Sequence, residues 1–182
     1  MTLELVLSIL LAGFLSNNYA LLHFLGTGAV IENERSIKKS FLIGVGSTIV
    51  MVLTTLITWP LNKYLLESVP YLQTMVFAIV VMLVVYGVHL FTKDRLENFC
   101  KVDFMKFAIN GAVLGLCIHN TELAFVEALV TSFAVGLGFA LTLVIFESLH
   151  SKIDEESVPA AFRGLPISLL VAGMMALAFL AF

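Results

Sequence analysis

Long uncharged runs separated by short polar stretches dominate the chain. Residues 40–59, 71–91 and 165–182 contain no Asp, Glu, Lys or Arg. Each is long enough, the last only just, to cross a hydrocarbon core that takes about 20 residues of helix. Residues 128–146 form a similar run, and with its flanks it predicts a long helix carrying Glu127 and Glu147 near its ends, at the two membrane interfaces. Two further stretches are interrupted. Residues 5–15, apolar apart from Ser8, are separated from 19–25 by Ser16, Asn17 and Asn18. Phe107 to Ile109 is followed by Asn110 and Gly111, then by 112–118, and His119, Asn120, Thr121 and Glu122 end the run. The pattern predicts an all-α membrane protein of six transmembrane helices, residues 1–182 forming one integral domain, with the first and fourth helices broken.

Composition narrows the function. Apolar residues make up 60% of the chain and charged residues 13%, against about 25% charge in a soluble domain. The short connections leave no room for a soluble catalytic domain, a nucleotide fold or a nuclease centre. A net charge of −3, with basic residues spread over several loops, argues against nucleic-acid binding. Cys100 and Cys117 have neither disulfide nor metal-ligand spacing and read as a loop thiol and a small apolar filler. Met1, Thr2, Leu3 and Glu4 contain no basic n-region, so the first helix is expected to be retained.

Charge also sets orientation. Arg35, Lys38, Lys39, Lys93, Arg95, Lys101, Lys106, Lys152 and Arg163 fall on one side of a six-span arrangement, and only Lys63 falls on the other. The positive-inside rule places the loops after spans one, three and five in the cytoplasm and both termini outside. Trp59, Tyr64 and Tyr71 fit an aromatic belt at the outer surface.

A shift of 92 residues aligns the chain with itself. It brings Asn18 onto Asn110, Ala20 onto Ala112 and Leu22 onto Leu114, and Ser40, Phe41, Gly44, Gly46 and Val52 onto Ser132, Phe133, Gly136, Gly138 and Val144. Each half, residues 1–91 and 104–182, holds three spans, an odd number, so the second half lies upside down relative to the first: a 3+3 inverted repeat. The ridges Ser40, Gly44, Thr48 and Ser132, Gly136, Ala140 have small residues at spacing four and are expected to be helix-packing faces. The breaks at Asn17, Asn18 and Asn110 become symmetry mates. Paired broken helices point to a binding site lined by freed backbone, whereas the simpler reading has the asparagines joining helices by hydrogen bonds.

The residues Asn17-Asn18 with Phe24-Leu25-Gly26, the run from Asn110 to Gly115, and Val158-Pro159 with Phe162-Arg163-Gly164 resemble one membrane family over essentially the whole chain. It contains the A-type membrane component of the Rnf electron-transport complex and the E-type membrane component of the sodium-pumping NADH:quinone reductase, Nqr. The resemblance implies a membrane subunit of a cation-translocating oxidoreductase in the bacterial cytoplasmic membrane, paired with a homologous subunit of opposite orientation or a second copy. It also implies a two-iron two-sulfur cluster shared between partners, each giving two cysteines. The matching positions here are Gly28 and Gly111, and glycine offers iron no ligand. Cys117, six residues beyond Gly111 and thus about 9 Å along a helix, does not replace it. His23 and His119 are substitute ligands or, more simply, interfacial hydrogen-bonding groups. The expectation is a relative that keeps the scaffold without the cluster.

Other positions carry two readings each. Arg163 either contacts a partner or a lipid phosphate or acts as a positive-inside anchor; Pro159 stands where a helix can begin and Gly164 permits close approach. Glu122 and Glu127, near His119 in sequence, form either the mouth of a cation pathway or interfacial acids. Asn17, Asn18, Gly26, Asn110, Gly115, His119 and Glu122 are the candidate ion-path residues. Two other classes stay open: a stand-alone inverted-repeat transporter or channel, and an assembly scaffold. With no general base, nucleophile or nucleotide loop in view, the chain is not expected to catalyse a reaction alone.

Overall fold

A computed structural model of the chain describes residues 4, 8–10, 12–13, 36–100, 111–154 and 158–179. All regular elements among these residues are helical. The helices are α1 (Ile37–Leu61), α2 (Pro70–Cys100), α3 (Gly111–His119), α4 (Phe125–His150) and α5 (Leu165–Phe179). Three helical segments, Ile37–Leu66, Pro70–Leu90 and Phe125–His150, are long and apolar enough to cross a membrane. α5 is apolar but has 15 described residues. The predicted breaks at Asn17, Asn18 and Asn110 lie outside the described residues, as do Gly26, His23 and Gly28.

α1 carries many hydroxyls for a membrane helix, and the helix itself absorbs most of them. Thr48 Oγ1 donates to the Gly44 carbonyl at 2.8 Å, Thr54 Oγ1 to Val50 at 2.7 Å and Thr58 Oγ1 to Thr54 at 2.9 Å. Such bonds one turn back satisfy the side chain without an outside partner. Pro60 has no N–H to close the last turn, and α1 gives way to a π-helical turn over Asn62–Leu66. Gln73 Nε2 donates to Asn62 Oδ1 at 2.9 Å, tying the start of α2 to that turn. α2 then stays helical through Cys100, about nine residues past the uncharged run, where the sequence reading places a loop.

The centre of the molecule is the antiparallel crossing of α1 and α4. A methyl built on Gly44 would stand 2.5 Å from Cβ and 2.6 Å from Cα of Ala140, and one on Gly136 would stand 2.9 Å from Cα of Thr48. The two backbones therefore touch, as the ridges of small residues predict, and dispersion over the shared surface replaces hydrophobic driving force, which is weak between helices in lipid. Gly44 and Gly136, and Thr48 and Ala140, are 92 residues apart, so the same shift exchanges the two contacts. Gly138 is buried and Gly46 half-buried. Ile43, Val50, Met51, Val135, Phe139 and Leu143 fill the space around the crossing, with Phe77, Val81 and Val85 of α2 and Val113 and Leu116 of α3.

The segment before α5 departs from expectation. The chain passes from Pro159 into a 3₁₀ turn over Ala160–Phe162, and α5 begins at Leu165. Gly164 has φ +76°, with nothing within 4 Å of an added Cβ. Glycine here serves the left-handed backbone rather than a close approach. Arg163 Nε donates to the Val158 carbonyl at 2.8 Å, closing the loop on itself. At the other end of the connection Ser168 Oγ meets His150 Nε2 at 3.0 Å, and His150 stacks on Phe146 with centroids 5.5 Å apart.

Gly44→Ala is expected to force α1 and α4 apart, costing about 1–3 kcal/mol, the usual range for overpacking. Gly173→Ala, with nothing within 4 Å of the new methyl, is expected to be neutral or to stabilise α5 by up to about 1 kcal/mol. Thermal unfolding of the two variants in detergent micelles checks the contrast.

Candidate functional site

α3 ends in a turn whose one buried residue is Asn120. After His119 the chain makes a 3₁₀ turn over Asn120–Glu122, then runs extended through Leu123 and Ala124 into α4. Trp59 Nε1 donates to the Leu123 carbonyl at 2.9 Å and its ring meets Phe125 at 5.0 Å, so the C-terminal end of α1 holds this connection. Trp59 is thus a clamp between helices, while Tyr64 and Tyr71 are exposed as a belt requires.

The turn delivers Asn120 into a buried polar node. Asn120 is 2% exposed, and Thr55 and Ser132 are fully buried. Thr55 Oγ1 and Ser132 Oγ are 2.7 Å apart. Asn120 Nδ2 lies 2.8 Å from Ser132 Oγ and 3.1 Å from Thr55 Oγ1. Ser132 Oγ donates to the Ala128 carbonyl at 2.7 Å. Donor accounting orders the network. The Ser132 proton goes to Ala128, so Thr55 must donate to Ser132, and both hydroxyl oxygens accept from the Asn120 amide. Every donor in the node is thereby used. Asn120 Oδ1 is left over, buried and without a hydrogen-bond partner among the described residues.

Thr55 stands six residues before the end of α1 and Ser132 seven after the start of α4, so the two hydroxyls lie about 10 Å inside those helix ends. Under the 92-residue shift Ser132 and Thr55 map onto Ser40 and Glu147. Both are buried, Glu147 at 2% exposure. Glu147, three residues before the end of α4, is thus not open to its surroundings: the last turns of α4 pack into the protein, and its carboxylate is covered by it.

Beside the node is a pocket of about 150 Å³ lined by Ile9, Ala12, Gly13, His119, Leu123, Glu127, Thr131 and Val135. A methyl on Gly13 would stand 2.8 Å from Cβ of Ala134, so the first segment closes on α4 at this level. The structure therefore brings two expected residues, His119 and Glu127, to one cavity, and leaves Glu122 exposed outside it. Gly115 is half-buried and Gly111 exposed at the first residue of α3. Cys117 is buried in the apolar core beside Val113 and Leu116. The sequence reading missed the node, since Thr55 and Ser132 lie in uncharged runs and Asn120 reads as the end of a span. The only signal was an amide one residue past an apolar helix.

Closely packed apolar helices, backbone contacts at glycine and a helix ending on a buried amide define a polytopic membrane protein, one whose polar interior is built at helix ends. The sequence comparisons specify it further. The family model described as "Rnf-Nqr subunit, membrane protein" matches residues 6–182, and the chain belongs to that family. It is 35% identical to the A-type subunit of the ion-translocating oxidoreductase complex of Syntrophotalea carbinolica, covering 97% of this chain and 95% of that protein. It is 33% identical to the protein of the same name from Pseudomonas paraeruginosa, over 96% and 94%. With the A-type subunit of the Na(+)-translocating ferredoxin:NAD(+) oxidoreductase complex of Acetobacterium woodii it shares 32% identity, over 96% and 94%.

Ser132→Ala removes the shared acceptor and leaves one Asn120 N–H without its nearer partner. Hydrogen bonds between membrane helices average about 0.6 kcal/mol, with a maximum near 1.7, so the expected loss is about 1 kcal/mol. In a double-mutant cycle with Thr55→Val, denaturant unfolding in micelles is expected to give a combined loss smaller than the sum, because both residues serve one amide.

Proposed function

We propose that this chain is the A-type membrane component of an Rnf-type ion-translocating electron-transport complex, and that it shapes the ion route without an iron–sulfur cluster of its own. One observation carries the first half. The alignments extend over at least 94% of both this chain and the named relatives, so this chain has the extent of those proteins. The partners are the other members of such a complex, including a homologous membrane subunit of opposite orientation. The chain lies in the bacterial cytoplasmic membrane with both termini outside, as the single basic residue on the outer side, Lys63, supports. Six helices in two inverted halves account for the exchange of the Gly44–Ala140 and Thr48–Gly136 contacts under a shift of 92.

The residues do not fit the family's two-iron two-sulfur cluster. Such a centre takes thiolate or imidazole ligands, and Gly28 and Gly111 provide neither. Gly111 is exposed at the start of α3, and Cys117 is six residues further on, buried in the apolar core. No electron step is therefore assigned to this chain. Its own contribution is the rigid α1–α4 crossing and the polar interior beside it. In the crossing itself the backbones touch at Gly44 and Gly136, which leaves no lumen there, so the ion route runs along the flank where α3 and the first segment meet α4.

Affinity purification of the tagged chain in mild detergent is expected to bring down flavin- and iron-containing subunits, with the iron content of the complex unchanged by Cys117→Ser. A colourless homo-oligomer that takes up solute by itself would instead establish the stand-alone transporter. A drop in iron on Cys117→Ser would show that this chain does ligate a cluster.

A further inference from the structure

We infer that the Asn120–Thr55–Ser132 node is a binding site for one monovalent cation, with Asn120 Oδ1 as its principal ligand. The inference deepens the ion-route reading and rests on it for its purpose. Its chemistry stands on the node itself. Once the Thr55, Ser132 and Asn120 protons are assigned, what the node still offers is acceptor capacity: two lone pairs on Oδ1 and one on Thr55 Oγ1. A buried acceptor without a donor costs about 1–3 kcal/mol, and a protein that retains one has a use for it or an occupant on it. The occupant must bring positive charge or a proton donor.

Two features of the surroundings favour a cation. α3 points its C-terminal end at Asn120, and a helix C-terminus carries about half a negative charge; helix ends of this kind hold Na⁺ where membrane helices are discontinuous. The pocket next to the node has Glu127 in its wall, and two other wall residues, His119 and Thr131, are the immediate sequence neighbours of Asn120 and Ser132. A half-buried carboxylate in that neighbouring wall raises the local cation concentration. The node contains no carboxylate, so it suits a single charge. Ca²⁺ and Mg²⁺ sites of protein oxygens draw on Asp or Glu, and a neutral set leaves two charges uncompensated in a poorly solvated interior.

The test is equilibrium binding of ²²Na⁺ to the purified full-length protein in detergent, with choline as the inert cation. About one Na⁺ per chain is expected, displaced by unlabelled NaCl and not by CaCl₂. Asn120→Leu and Thr55→Val are expected to weaken binding by roughly tenfold or more, equivalent to about 1.4 kcal/mol. Asn120→Asp keeps the shape of the side chain and guards against a variant that does not fold; it is expected to tighten Na⁺ by a similar factor and to let CaCl₂ compete. Absence of Na⁺ binding in the native protein, or binding indifferent to both Asn120 variants, overturns the inference and leaves Oδ1 to a buried water. Because the measurement uses the isolated chain, its failure is distinct from a failure to recover the complex.

Discussion

The approach of two backbones at Gly44 and Gly136 is the constraint from which the rest of the molecule follows. Lipid tails are as apolar as leucine, so two membrane helices gain little by hiding side chains from their surroundings. They gain by fitting. Glycine in one helix opposite alanine or threonine in the other lets main chains come into contact and sets the register between α1 and α4. That register carries Thr55 to Ser132 at the outer end. Were α1 moved along α4 by one turn, the hydroxyl pair would separate and one of the two Asn120 amide protons would lose its acceptor.

The crossing divides the interior into a closed zone and a polar one. Around Gly44, Thr48, Gly136 and Ala140 the space is filled by backbone, and the threonine hydroxyls turn back onto their own helix. Apart from Ser47, the buried polar groups that are not spent within a single helix stand above and below that zone: the Asn120 node towards one end, the covered carboxylate of Glu147 towards the other. A protein that moves ions needs both parts, a frame that does not yield and a polar interior held beside it. Under the proposed reading the chain keeps this frame without the family's redox centre, since glycine stands at the two positions matched to its thiolates.

Much of the architecture was legible because membrane helices are specified by simple quantities. Run length and absence of charge marked α1, α2, α4 and α5. Spacing-four small residues marked the crossing faces, and the motif Val158-Pro159 with Phe162-Arg163-Gly164 marked the family. The errors came where one residue type serves two physical ends. Gly164 looked like a packing glycine and is a left-handed turn. That neighbouring elements cover Glu147, and that Trp59 clamps the α3–α4 connection, could not be read from the positions of either residue near a helix end.

The linear order of residues by itself determined that the chain lives in lipid and that its helices pack through small residues. These follow from composition, periodicity and chemistry, which need no partner in space. Only the tertiary structure decided that Thr55, Asn120 and Ser132 meet. Thr55 is 65 residues from Asn120 and 77 from Ser132, and each alone is an ordinary polar residue whose protons a helix or water would satisfy. Their meaning arises when packing removes water and the count of donors and acceptors must close locally, which it does for every proton in the node and leaves one oxygen over.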